Sequence, residues 1–212
     1  MQFFFSPDSK IMQFFSRLTD LILLNVVFLL TCIPVFTIGA ANAALYRVCF
    51  RMDTDKEEPL FRSYFRSFGE NFRQGTALWL ILLLFGSTAL INVFLFLSKT
   101  TVLRYGFALF LVLFVLVAMV FGFVFPLLSL FRNTVKETLK NAVLLSLAYL
   151  PRGLCITLIN LFPCGILLLN LYAFFQLGFL WFFLYFSAAA YFNSRLLLKV
   201  FKPYLEADGE GK

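Results

Sequence analysis

From Thr76 to Ser98 the chain runs for 23 residues without an Asp, Glu, Lys or Arg. At about 1.5 Å per helical residue such a run matches the hydrocarbon core of a bilayer, about 30 Å thick. The pattern recurs over the 27 residues from Tyr105 to Phe131, and over the 42 from Gly153 to Ser194, a length too great for one crossing and sufficient for two. The sequence therefore predicts an all-α, polytopic membrane helical bundle of about five transmembrane helices. With 61% hydrophobic residues and 31 phenylalanines, the chain carries more apolar surface than a soluble core of its size could hide, so lipid must solvate much of it. The longest polar stretch, from about Arg47 to Gln74, is too short to bury a core of its own, and residues 1–212 read as one integral membrane domain.

The expected spans are 18–38, 76–98, 103–131, 154–172 and 174–194. Residues 1–17, with Phe3, Phe4 and Phe5 ahead of Ser6 and Pro7 and more apolar residues among Lys10, Gln13 and Arg17, read as an interfacial segment. Pro34 should end or kink the first span, and Gly39 to Arg51 should continue as a helix. There Gly39/Ala43 and Ala40/Ala44 form small-xxx-small pairs that permit close helix approach. After an acidic turn from Asp53 to Pro59, residues 59–74 read as a basic amphipathic helix on the cytoplasmic leaflet: Phe61, Tyr64, Phe65, Phe68 and Phe72 recur at helical spacing, with Arg62, Arg66, Glu70 and Arg73 on other faces. A short turn from Ser98 to Arg104 predicts a tight helical hairpin. Span four has two registers. One starts after Pro151-Arg152-Gly153; the other runs 141–163 and turns at Pro163-Cys164-Gly165. The first is preferred.

Orientation follows from the basic residues. With five crossings, twelve Lys and Arg in 47–73, 132–140 and 195–202 share one side, against Lys10, Arg17, Lys99 and Arg104 on the other. The positive-inside rule then predicts an external N-terminus and a cytoplasmic C-terminus. An internal N-terminus is the alternative, if the kinked first segment re-enters instead of crossing.

Polar groups in spans are the candidate sites. Asp20 is the only acid in an expected span; it is either a cation or proton ligand, or an interfacial residue within reach of water and Arg17. Arg152 lies at the interface in the preferred register. In the other it sits near mid-membrane, at a cost of about 2.5–3.5 kcal/mol that would imply a substrate or ion site. Asn25, Thr31, Asn92, Asn160, Asn170, Gln176 and Asn193 each need a hydrogen-bond partner, which interhelical bonding supplies at about 0.6–2 kcal/mol each. A polar cavity for a sugar-like ligand is the sharper alternative.

Other chemistries find little footing. There is no phosphate loop, no G-x-S-x-G elbow, no H-E-x-x-H and no histidine at all, so the chain reads as a non-enzyme without cofactor or metal. Cys32, Cys49, Cys155 and Cys164 lack C-x-x-C spacing and read as small buried thiols. The net charge of +7 is spread over short loops and span ends, where lipid explains it better than nucleic acid does. Ala41-Asn42-Ala43 imitates a signal-peptidase site, but Asp20 and Asn25 interrupt the preceding apolar run, and a retained span is the better reading.

Three stretches carry a family likeness: Asp20-Leu-Ile-Leu-Leu-Asn25, Cys32-Ile-Pro34-Val-Phe-Thr37-Ile-Gly39-Ala40 and Ala44-Leu45-Tyr46. Together with Phe61-Arg62-Ser63-Tyr64-Phe65-Arg66-Ser67-Phe68 and Asn71-Phe72-Arg73-Gln74, the text resembles the YesL family of bacterial membrane proteins. The resemblance implies a setting beside carbohydrate importers of the ATP-binding-cassette type and glycan-degrading enzymes, and brings no catalytic or ligand residues with it. On that basis the expected function is a non-enzymatic accessory factor in carbohydrate uptake that contacts the importer's membrane subunits. Its partner surfaces would be the small-residue face Gly39, Ala40, Ala43 and Ala44 and the basic aromatic helix with Phe61, Arg62, Phe65, Arg66, Phe68, Phe72 and Arg73. The alternative is an independent small transporter or channel in which Asp20, Asn25 and Arg152 line one cavity, with a homo-oligomer enlarging the pathway.

Overall fold

The computed structural model describes residues 10–52, 59–97 and 104–209. Phe3 to Phe5, the acidic residues from Asp53 to Glu58 and the expected hairpin turn at 98–103 lie outside the described residues. Everything regular within them is helical: α1 (Lys10–Cys32), a 3₁₀ turn (Val35–Thr37), α2 (Ile38–Arg51), α3 (Leu60–Leu97), α4 (Arg104–Leu130), α5 (Val135–Ala148), α6 (Leu150–Leu169), α7 (Leu171–Gln176), α8 (Gly178–Leu180), a π turn (Trp181–Tyr185) and α9 (Phe186–Gly209). Helices α1, α3, α4 and α6 are each long and apolar enough to cross a membrane.

Several boundaries differ from the sequence expectation. Residues 10–17 are not a separate interfacial segment, because no Gly or Pro lies between Lys10 and Cys32 and the helix runs through. The first span ends at Cys32 instead of 38: Pro34 has no N–H to donate, and its ring disfavours the helical conformation at Ile33. The amphipathic helix expected at 59–74 is likewise continuous with span two. Gly75 alone costs a helix only about 1 kcal/mol, too little to break it, and α3 is one rod of 38 residues.

Span four settles into the preferred register. The chain breaks at Tyr149 (φ −117°, ψ 45°) and Pro151 occupies the first turn of α6, where a missing N–H does no harm. The helix starts at Leu150, earlier than the expected 154, and passes through Pro163 without turning. The span expected at 174–194 is instead segmented, with a break at Leu177 and five residues of π turn before α9.

Short, alanine-rich α2 is the hub of the bundle. Gly39, Ala40, Ala43 and Ala44 are all buried, as are Leu45, Tyr46, Cys49 and Phe50. A Cβ on Gly39 would collide with the Gly75 carbonyl oxygen, and one on Gly75 would lie 2.8 Å from the Ala40 backbone. Thus α2 and α3 cross with backbone against backbone, which larger side chains would forbid. Phe50 packs its ring on Phe201 of α9, which also meets Phe131 just beyond α4. Arg47 donates to the Ser129 carbonyl (2.8 Å), closing the negative C-terminal end of α4 with a cation.

One turn of α9 fixes the path of the N-terminal third. Arg17 donates to the Tyr191 hydroxyl (2.9 Å), which also accepts from Arg195 (2.6 Å), while Asn193 between them reaches the Tyr46 hydroxyl (3.4 Å). The chain leaves this turn at residue 17 and is back at it by residue 46, so α1 and α2 form a hairpin whose two open ends lie together. Arg17 and Arg195 therefore cannot stand on opposite sides of a bilayer about 30 Å thick, and the expected arrangement with Arg17 external and Arg195 cytoplasmic fails.

Candidate functional site

The polar groups gather where helices are broken. A π turn leaves backbone groups out of the regular ladder, and such turns recur at functional sites in helical proteins. Asn25, fully buried on α1, faces this one. Its Nδ2 donates to the carbonyls of Trp181 (3.2 Å) and Phe182 (2.6 Å), and its Oδ1 accepts from the Ser187 amide (2.9 Å). The amide orientation is dictated by its partners, since carbonyls can only accept and an N–H can only donate. Ser187 returns the contact, with its hydroxyl donating to Leu21 O (2.7 Å) on α1 and to Leu184 O (3.0 Å) within its own helix.

The remaining breaks are sealed in the same manner. Pro163 has no N–H for the carbonyl four residues earlier, Ile159, and the Tyr185 hydroxyl donates to that carbonyl. Trp181 Nε1 donates to Phe174 O (3.1 Å), near the end of α7. At the hairpin apex, Thr37 Oγ1 donates to Thr31 O (2.5 Å) and Pro34 O (2.6 Å), and the Thr31 hydroxyl pairs with that of Tyr64 (2.6 Å). Buried backbone groups left open by a break must find a protein partner in this way. The apex side chains Ile33, Val35 and Phe36 are apolar and exposed.

A second cluster joins α2, α6 and α9. Asn193 Nδ2 donates to Asn160 Oδ1 (3.0 Å) and to the Tyr46 hydroxyl, while Asn193 Oδ1 and Thr157 Oγ1 are buried and have no hydrogen-bond partner among the described residues.

The sequence-derived candidates are thus dispersed. Asn25 belongs to the π-turn clamp. Arg152 lies in the first turn of α6 with its guanidinium 5.4 Å from the centre of the Tyr149 ring, so the mid-membrane placement does not hold. Asp20 is partly exposed on α1, and the Arg17 beside it turns to Tyr191. These three do not line a common cavity among the described residues. Of the expected partner surfaces, Gly39, Ala40, Ala43 and Ala44 face inward and are unavailable to a partner. The aromatic stripe of α3 splits: Tyr64 stacks on Phe68 and Phe68 packs on Phe72, toward the bundle, whereas Phe61, Arg62, Phe65, Arg66 and Arg73 face outward. Among the intramembrane amides, Asn160 and Asn193 bond between helices, but Asn92 donates to its own helix at Thr88 O (2.7 Å) and Asn170 caps α7. The cysteines are free and unequal in depth, with Cys49 buried and Cys155 and Cys164 exposed.

Sequence reading missed Ser187, Tyr185 and Tyr46 as partners. The one available signal was Pro163, whose position in an apolar helix announces an open carbonyl at Ile159.

Outside the spans, Thr134 and Glu137 form a reciprocal capping box at the start of α5, with Thr134 N and Oγ1 donating to Glu137 Oε2 at 2.9 and 2.8 Å. These hydrogen bonds hold the Glu137 carboxyl below its ordinary pKa.

The family model described as a protein of unknown function, DUF624, matches residues 21–93. The match begins in α1, takes in the apex and α2, and ends within α3, so it covers the hairpin and its glycine crossing. No curated protein and no solved structure matches the chain.

Proposed function

We propose that the chain is a non-enzymatic accessory protein of the bacterial cytoplasmic membrane that docks, through the cytoplasmic part of α3, on the membrane subunits of a carbohydrate importer. The observation that carries this reading is the length of α3. Its 38 residues extend about 57 Å, and even a tilt of 40° leaves a projection of about 44 Å against about 30 Å of hydrocarbon. A stiff helical extension therefore stands clear of the lipid. Its outer face offers Phe61 and Phe65, 43% and 52% exposed, among Arg62, Arg66 and Arg73. Aromatic side chains flanked by arginines are the composition that protein interfaces favour. The YesL resemblance adds the carbohydrate setting.

The same reading puts Arg17, the N-terminal half of α3, Arg132 to Lys140 and the basic half of α9 on the cytoplasmic side. Of the basic residues counted in the sequence, Lys99 and Arg104 then fall opposite, a stronger positive-inside bias than an external N-terminus would give. The α1–α2 hairpin adds no net crossing.

A photo-crosslinking residue at position 61 or 65, in cells growing on an imported glycan, should form an adduct with an importer membrane subunit, and one at the inward position 68 should not. Absence of importer subunits at 61 and 65 alike would remove the reading.

A second reading, an independent small transporter, is favoured by the unpartnered Asn193 Oδ1 and Thr157 Oγ1. It requires solute flux in proteoliposomes that Asn193→Leu abolishes while the bundle stays folded.

A further inference from the structure

At the basic end of the bundle, α4, α5 and α9 enclose a cavity of about 210 Å³. Its walls are largely apolar, formed by Leu127, Phe131, Leu145 and Phe201, and its polar lining residues are Asn133, Asn141 and Tyr204. It lies where the charge-free run of Tyr105 to Phe131 gives way to Arg132, the depth at which a bilayer changes from acyl chain to headgroup. Its volume is below the about 300–1,000 Å³ usual for a site that engulfs a whole small molecule. The occupant it suits is one that inserts an apolar part and leaves a polar part outside.

Basic residues next to the lining in sequence specify that polar part. Arg132 is exposed beside Asn133, and Lys136 and Lys140 are exposed at successive i, i+4 positions on the α5 stripe that ends in the lining residue Leu144. The neighbouring acid, Glu137, keeps its negative charge in the capping box and offsets one of the three cations. Clusters of this kind at the cytoplasmic face attract anionic headgroups, at roughly fivefold in affinity per cation.

We propose that this cavity is a binding site for one anionic phospholipid of the inner leaflet, with an acyl segment between α4, α5 and α9 and the phosphate held by Arg132, Lys136 and Lys140. The inference rests on the membrane placement of the basic end and is independent of any importer contact. The delipidated full-length protein in detergent, titrated with phosphatidylglycerol and with phosphatidylcholine of identical chains and read by native mass spectrometry, tests it. Wild-type protein should retain one phosphatidylglycerol well over tenfold more tightly than phosphatidylcholine. Lys136→Gln and Lys140→Gln should each weaken phosphatidylglycerol roughly fivefold and leave phosphatidylcholine unchanged. Leu145→Trp, which fills the cavity, should lose the selective site, as should Leu144→Trp, whose half-exposed position spares the fold. Equal retention of the two lipids by wild-type protein, or undiminished phosphatidylglycerol binding in a folded Leu144→Trp variant, would overturn the proposal.

Discussion

Replacing Asn25 by leucine should be among the most damaging single changes in the bundle. Leucine is close in volume, so the change removes the Nδ2 donor and the Oδ1 acceptor with little cavity or clash. The two bonds that Nδ2 donates, at an average of about 0.6 kcal/mol each in a membrane, account for about 1 kcal/mol. Loss of the Oδ1 acceptor takes from the buried Ser187 amide the bond it makes to Asn25, and an unpaired buried donor costs about 1–3 kcal/mol. The total is about 2–4 kcal/mol. Reversible unfolding in mixed micelles, titrated with dodecyl sulfate and followed by Trp181 fluorescence in a Trp79→Phe background, measures it. Asn25→Asp separates the two contributions, because a carboxylate still accepts from Ser187 but opposes the Trp181 and Phe182 carbonyls. That variant should be as weak as Asn25→Leu at neutral pH and recover on acidification, as the protonated acid becomes a donor. A loss below about 0.5 kcal/mol for Asn25→Leu would refute the clamp, as would simple additivity with Ser187→Ala, since residues in one network must couple.

Three further outcomes follow from the same geometry. Tyr185→Phe should cost about 1 kcal/mol in the wild-type background and almost nothing beside Pro163→Ala, which returns an N–H to Ile159 O; a double-mutant cycle reads the difference. Gly75→Ala should destabilise by about 3 kcal/mol because the added carbon meets the Ala40 backbone, whereas Gly69→Ala on the same helix meets nothing within 4 Å and should stabilise by about 0.5–1 kcal/mol, both by the same unfolding titration. Glu137 has a depressed pKa in the folded state, so its contribution is full above the unfolded carboxyl value, about 4.3, and is lost as pH falls through the lower folded value. Hydrogen exchange in the first turn of α5 should accelerate over that acidic window in wild-type protein, and the acid dependence should vanish in Thr134→Ala.

Helix content and the apolar runs were legible because lipid imposes a length and a charge-free composition that few other structures share. Pro34, Pro151 and the small residues of α2 were legible for the same reason: each acts through its own backbone or its lack of a side chain. What sequence hid was relational. Nothing local announces that Arg17 and Arg195 share Tyr191, because residues 174 positions apart meet only through the packing of α1 on α9. The continuity of α3 was hidden because a change of polarity at Arg73 resembles a boundary, yet polarity decides where a helix sits and does not stop it. The candidate site moved for a related reason. Charge drew attention to Asp20 and Arg152, both within reach of an interface; Asn25, named with them, is the one that joins the clamp, and its partners there are uncharged groups whose role depends on which carbonyls the breaks leave open.

The most direct test is the sidedness of the α1–α2 hairpin. In a cysteine-free background, Ser16→Cys, Lys199→Cys and Ser98→Cys can be probed with a membrane-impermeant maleimide in right-side-out and inverted vesicles. Cysteines at 16 and 199 should label together, in inverted vesicles alone, and the one at 98 only in right-side-out vesicles. Labelling of position 16 from the same face as position 98 would contradict the hairpin and the arrangement built on it.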